Sequence, residues 1–106
     1  MGSHHISAQE AMVIIEEESA LLVDIRDKGS FSEGRIKGAV HVDQGNLKEF
    51  LNLADKNKPM ICYCYHGISS QDAARFFSNQ GFKQVVSLDG GFEAWLQIYP
   101  YHIEPQ

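Results

Sequence analysis

Short apolar runs alternate with amphipathic stretches along this chain, and that alternation limits its fold more than any other feature. Leu21 to Ile25, Ala39 to Val42, Met60 to Cys64 and Gln84 to Leu88 are of strand length and too short for helices. Asp24 is the one charge in the first run, which reads as a buried strand. Helical patterns lie between the runs. Ser7 and Glu10 fit a capping box, and Ala8, Ala11, Met12 and Ile15 follow on one face. A turn is expected at Asp27-Lys28-Gly29, then a short helical piece from Phe31 to Gly34. Leu47, Phe50, Leu51 and Ala54 recur at helical spacing, and Pro59 ends the linker behind them. Ser70 to Gln80 reads as a helix with Ala73, Ala74, Phe76 and Phe77 inward, stopped by a left-handed Gly81. Gly90-Gly91 turns the chain into a last helix from Phe92 to Ile98, closed by Pro100.

Such alternation predicts one α/β domain, a central and mostly parallel five-stranded sheet with helices on both faces. The length of 106 residues suits a single domain, and a hydrophobic content of 43% supplies its core. The domain is expected over residues 6–100. Met1-Gly2-Ser3-His4-His5 resembles a tag remnant or a disordered start, and residues 101–106 read as a C-terminal tail. In sheets of this kind sites form beyond the carboxyl ends of strands, which directs attention to the ends at Ile25 and Cys64.

A net charge of -5, with nine scattered basic residues, argues against a nucleic-acid partner. No apolar run approaches the roughly 20 residues of a spanning helix, and no secretory signal opens the chain, so no membrane association is expected. The two cysteines, Cys62 and Cys64, stand too close together for an ordinary structural disulfide. A reducing, cytoplasmic setting follows as the expectation, and there the question about a cysteine is its reactivity.

Met60-Ile-Cys-Tyr-Cys64-Tyr-His-Gly-Ile-Ser-Ser70 carries the most chemistry. It reads as a strand, a cysteine at its end, a short loop and a helix. Gly67 permits a tight loop, and Ser69 or Ser70 is expected to cap the helix, with Ser69 and Asp72 matching a capping pattern. Tyr65, His66, Gly67, Ile68, Ser69 and Ser70 then curl their N–H groups around the Cys64 sulfur as an anion cradle. Stabilisation of roughly 1.4 kcal/mol by a helix end equals about one pKa unit, which lifts the thiolate fraction at pH 7 from about 3% to about 24%. Cys62, inside the strand, reads as an inert core residue. Cys62, Cys64 and His66 lack a second ligand cluster, so no metal is expected. His66 either assists proton transfer or contributes its backbone alone.

Three motifs together resemble the rhodanese family across about Ile6 to Ile98. They are Leu22-Val-Asp24-Ile-Arg26-Asp with the following Phe31 and Gly34 to Ala39, the Cys64 loop, and Asp89-Gly-Gly-Phe-Glu-Ala-Trp95. The resemblance implies a rhodanese-like domain and a ping-pong sulfurtransferase without metal or organic cofactor. Thiosulfate would give its outer sulfur to Cys64, and the persulfide would pass it to cyanide in assays, or to small thiols or thioredoxin in the cell. It also implies that Asp24, Arg26 and Arg35 are structural or site-wall residues, the first two joined in an ion pair, and that Gly90-Gly91 and Trp95 serve packing. The chain departs from the family pattern twice. Arg35 stands where many members have His, and the loop from Tyr65 to Gln71 holds no Lys or Arg. An anionic donor must then rely on N–H groups and hydroxyls.

Two other activities compete. A phosphatase of the Cys-x5-Arg type needs a guanidinium to grip phosphoryl oxygens, and this chain offers Ser70 there, with no Arg before Arg75. A persulfide carrier with little thiosulfate turnover needs only the thiol and its cradle.

Overall fold

The computed structural model describes residues 4–105. In chain order they form β1 (His5–Ile6), α1 (Ala8–Glu18), β2 (Leu21–Asp24), α2 (Lys28–Glu33), β3 (Arg35–Ile36) and β4 (Val40–His41). Then come α3 (Leu47–Leu53), β5 (Met60–Tyr63), α4 (Ser69–Asn79), β6 (Val85–Leu88), α5 (Gly91–Ile98) and β7 (Ile103–Glu104).

Five strands make one sheet in the order β1-β6-β5-β2-β4, and each neighbouring pair is parallel. β5 lies at its centre, with Cys62 beside Val23 on one flank and Ser87 on the other. Side chains alternate across a strand, so β5 feeds two cores. Ile61 and Tyr63 join Leu22, Leu88 and the α1 and α5 residues Ala8, Ala11, Phe92 and Trp95. Met60 and Cys62 join Val23, Val85 and the α4 residues Ala74 and Phe77, with Leu47, Phe50 and Leu51 of α3 packed on them. The predicted parallel sheet with helices on both faces is therefore the observed one. The capping box of α1 also forms, Ser7 and Glu10 each accepting a backbone N–H from the other.

The structure corrects several expectations. Within the segment expected to be a tag remnant or a disordered start, His5 is ordered, and His5–Ile6 pairs with Ser87 and Leu88. Residues 1–3 and 106 lie outside the described residues. The tail carries β7, which pairs antiparallel with β3. Pairings of two residues leave no periodicity to read. The turn at Asp27-Lys28-Gly29 is the start of α2, because the Asp27 side chain accepts the Ser30 N–H at 2.8 Å as an N-cap. Phe76, expected inward, is exposed, while Phe77 is buried. Ser70, Ala74 and Phe77 already fill the inward stripe of α4, and Phe76 is rotated off it.

Candidate active site

Cys64 is the first residue past the carboxyl end of β5, and the chain needs only a short loop to reach α4. The loop is curled so that its donors converge on the sulfur. Cys64 Sγ accepts the N–H of Gly67 at 3.2 Å and that of Ser70 at 3.3 Å, and the Ser70 hydroxyl lies 3.3 Å away. Burial alone raises the pKa of this thiol, but the Ser70 hydroxyl and the N–H groups of Ser70, Gly67 and His66 outweigh it. The Cys64 pKa therefore falls below the ordinary thiol value, and the thiolate is favoured.

Ser69 and Ser70 do not cap α4, contrary to expectation. The N-cap position is Ile68, which makes no side-chain cap. Both serines lie in the first turn, and the Ser70 groups serve the sulfur instead. Cys62 is the opposite case. Its thiol donates to the carbonyls of Ser70 at 3.4 Å and Val86 at 3.6 Å. Burial, with the nearby Cys64 charge adding to it, pushes its pKa up to about 12. It stays a protonated core thiol.

The loop is clamped from behind by α5. Phe92 N–H donates to the Cys64 carbonyl at 2.9 Å and Glu93 N–H to that of Tyr65 at 3.0 Å. Gly67 has φ 89°, and a Cβ there would stand 2.7 Å from Gly90 N. Gly91 has φ 60°, and a Cβ there would stand 2.5 Å from the Cys64 carbonyl oxygen. Both positions require glycine on steric and dihedral grounds. The packing role expected for Gly90-Gly91 is thus a role in shaping the loop.

Cys64 opens on a cavity of about 630 Å³ walled by Arg26, Asp27, Ser30 and Glu33 on one side and Tyr65 and Ser69 on the other. The Arg26 guanidinium is committed to the wall. Its Nε meets both Asp24 carboxylate oxygens at 3.1 Å, and its Nη2 donates to Asp24 Oδ2 at 2.7 Å and to the Gly34 carbonyl at 2.6 Å. The guanidinium carbon also lies 4.1 Å from the centre of the Phe92 ring. Asp24 has no exposed surface, so the pair ties β2 to the cavity wall from inside. Asp24→Ala would strand a buried cation and is expected to destabilise the fold by about 3–5 kcal/mol, read by denaturant unfolding. A loss below about 1 kcal/mol would show the pair to be dispensable.

The other candidate side chains have partners or exposure of their own. Arg35 donates to the Phe31 carbonyl at 3.2 Å, stacks on the Phe31 ring and faces Glu104 at 3.6 Å, so it braces α2 and β7. The His66 ring turns to Glu93, Nδ1 to Oε1 2.8 Å, at the rim, while its backbone contributes to the cradle. Tyr65 and Ile68 are exposed beside it. Among the described residues no cluster of His, Cys, Asp and Glu is arranged to hold a metal. No helix among them is long and apolar enough to cross a membrane.

The sequence matches the model of the rhodanese-like domain over residues 7–98. The chain belongs to the rhodanese family. It is 47% identical over 91 residues to a protein of Shewanella oneidensis named thiosulfate sulfurtransferase GlpE, covering 86% of this chain and 90% of that one. A protein of the same name from Stutzerimonas stutzeri is 52% identical over 85 residues, covering 80% of this chain and 78% of that one. Among solved structures, reduced Bacillus anthracis CoADR-RHD superposes with a TM-score of 0.81 at 26% identity, covering 95% of this chain and 18% of that one. Within this rhodanese domain, sequence reasoning overlooked Ser87, Phe92 and Glu93 as neighbours of the Cys64 loop. Ser87 had left one signal, a lone hydroxyl in the apolar run Val85-Val86-Ser87-Leu88.

Proposed function

We propose that this protein is a thiosulfate sulfurtransferase working through a persulfide on Cys64. The observation that carries the reading is the convergence of the Gly67 and Ser70 N–H groups and the Ser70 hydroxyl on one sulfur that opens into a cavity. In the first half-reaction the Cys64 thiolate attacks the outer sulfur of thiosulfate. The sulfur–sulfur bond breaks, its electron pair leaves on sulfite, and Cys64 holds a persulfide anion. In the second, a thiophile attacks the outer sulfur and the Cys64 thiolate returns. Cyanide serves in assays, and small thiols or thioredoxin are the proposed cellular acceptors. The cradle donors stabilise the negative sulfur without reorganising between half-reactions. No step calls for a cofactor. Two unlinked cysteines suit a cytoplasmic location, which belongs to the same proposal.

One observation favours a second reading, a persulfide carrier with slow thiosulfate turnover. The cavity wall presents Asp27 and Glu33, and its guanidinium is already taken by Asp24. Steady-state turnover with thiosulfate and cyanide separates the readings. A stable adduct of about 32 Da, one sulfur, with negligible turnover means a carrier. The phosphatase alternative lacks its arginine, since Ser70 occupies that place. Aryl-phosphate hydrolysis dependent on Cys64 would overturn the sulfurtransferase assignment.

The lowered pKa gives the reaction a defined pH response. As pH falls through the folded-state pKa of Cys64, the thiolate is protonated and alkylation by iodoacetamide slows; above it the rate is flat. The same ionisation stabilises the fold at high pH, and that contribution is lost as pH falls through the folded value. In Cys62→Ser protein the alkylation midpoint is expected below the ordinary thiol value of about 8.5. A midpoint at or above that value would remove the physical basis for an activated nucleophile.

A further inference from the structure

Ser87 sits in β6, on the far side of Cys62 from β2. It is 1% exposed, on a sheet face otherwise packed by Val85, Met60 and Cys62. A buried hydroxyl in such a place is costly unless paired. Its Oγ lies 2.7 Å from Ser70 Oγ, which is itself fully buried and 3.3 Å from Cys64 Sγ. The three atoms form a chain from the nucleophile into the core.

We infer that Ser87 is a positioning residue for sulfur transfer, holding the Ser70 hydroxyl so that its proton points at the Cys64 sulfur. The inference rests on the proposed role of Cys64 as nucleophile. A hydroxyl has one proton and two lone pairs. With Cys64 ionised, the Ser70 proton goes to the sulfur, and the Ser70 lone pair accepts the Ser87 proton. Both hydroxyl protons then have acceptors, and each bond polarises the next. When Cys64 is protonated, its S–H can donate to Ser70 and the hydroxyl pair can reverse. Ser87 never touches the reacting atoms; it acts through Ser70.

The charged and titratable groups around Cys64 are Cys62 on β5, Tyr65 and His66 of the loop with Glu93 of α5, and Arg26, Asp27 and Glu33 across the cavity. Ser87→Ala removes none of them, so a change in Cys64 ionisation can be assigned to the hydroxyl chain.

The test is the pH profile of Cys64 alkylation by iodoacetamide, in a Cys62→Ser background, for wild type, Ser87→Ala, Ser70→Ala and the double variant. Ser70→Ala is expected to raise the apparent pKa by about one unit, and Ser87→Ala by roughly half a unit. In the double variant Ser87→Ala adds nothing to Ser70→Ala, because its route to the sulfur is gone. Unchanged circular dichroism confirms that each variant is folded. No shift in Ser87→Ala, or an equal shift with Ser70 already removed, would overturn the inference. Intact mass after thiosulfate is read separately on wild type. Its failure to gain a sulfur would count against the proposed function and leave the hydroxyl chain to be judged on alkylation alone.

Discussion

Cys64→Ser is expected to abolish the sulfur adduct and to reduce thiosulfate:cyanide turnover on the order of 10⁴-fold or more, as loss of a nucleophile does. Serine keeps the shape of the site but offers no sulfur to extend and no anion at neutral pH. Cys62→Ser is expected to retain most activity. The two thiols are two positions apart on one strand and its end, yet their surroundings differ in kind. Cys64 accepts N–H groups and opens on a cavity, whereas Cys62 donates to carbonyls and is fully buried. Intact mass after thiosulfate, with both variants beside wild type, reads nucleophile and bystander together. Equal losses in the two variants, or an active Cys64→Ser protein, would refute the mechanism.

Gly91→Ala is the substitution with the largest expected effect on turnover outside the nucleophile. Its Cβ would stand 2.5 Å from the Cys64 carbonyl oxygen and 2.6 Å from that of Tyr65, at a φ of 60°. The obstacle is backbone, so it cannot swing aside as a side chain would. Dihedral strain and overpacking together are expected to cost about 3 kcal/mol. Relief requires α5 and the loop to part, which lengthens the bonds from Phe92 and Glu93. A displacement of about 1 Å at the sulfur is expected to lower kcat/KM roughly 10²-fold. Gly38→Ala is the matched control, because Gly38 also has a positive φ of 88° but open space within 4 Å. It should cost some stability and leave turnover intact. Wild-type turnover in Gly91→Ala would show that the clamp is not needed.

The sequence made the frame of the fold legible because burial wrote it in long patterns. Leu21 to Ile25 and Met60 to Cys64 are apolar since both faces of the sheet are covered, and α1 announced itself through Ser7 and Glu10. What escaped was short or indirect. β1, β3 and β7 each span two residues, below any period. The cradle could be anticipated from a glycine and serines after a strand-end cysteine. Its aim could not, because Ser69 and Ser70 fit a cap equally well until the sulfur was seen to take the Ser70 N–H. The clamp by Phe92 and Glu93 acts through backbone N–H groups, which every residue but proline possesses, so nothing in those side chains advertised it.

The α5 clamp also sets a time at which the thiol becomes reactive. A ribosome delivers Cys64 well before Ser87 and Glu93, and a domain folds as a unit once its chain has emerged. Until that last part arrives, the carbonyls of Cys64 and Tyr65 lack their α5 partners, β5 has no β6 beside it, and Ser70 has no second hydroxyl. The cysteine of an unfinished chain is then close to an ordinary one, mostly protonated and slow toward oxidants. β1 depends on the same late part, since among the described residues its one strand partner is β6. Completion of the fold and activation of the nucleophile are therefore one event, and a chain cut short before α5 is left with a quiet thiol.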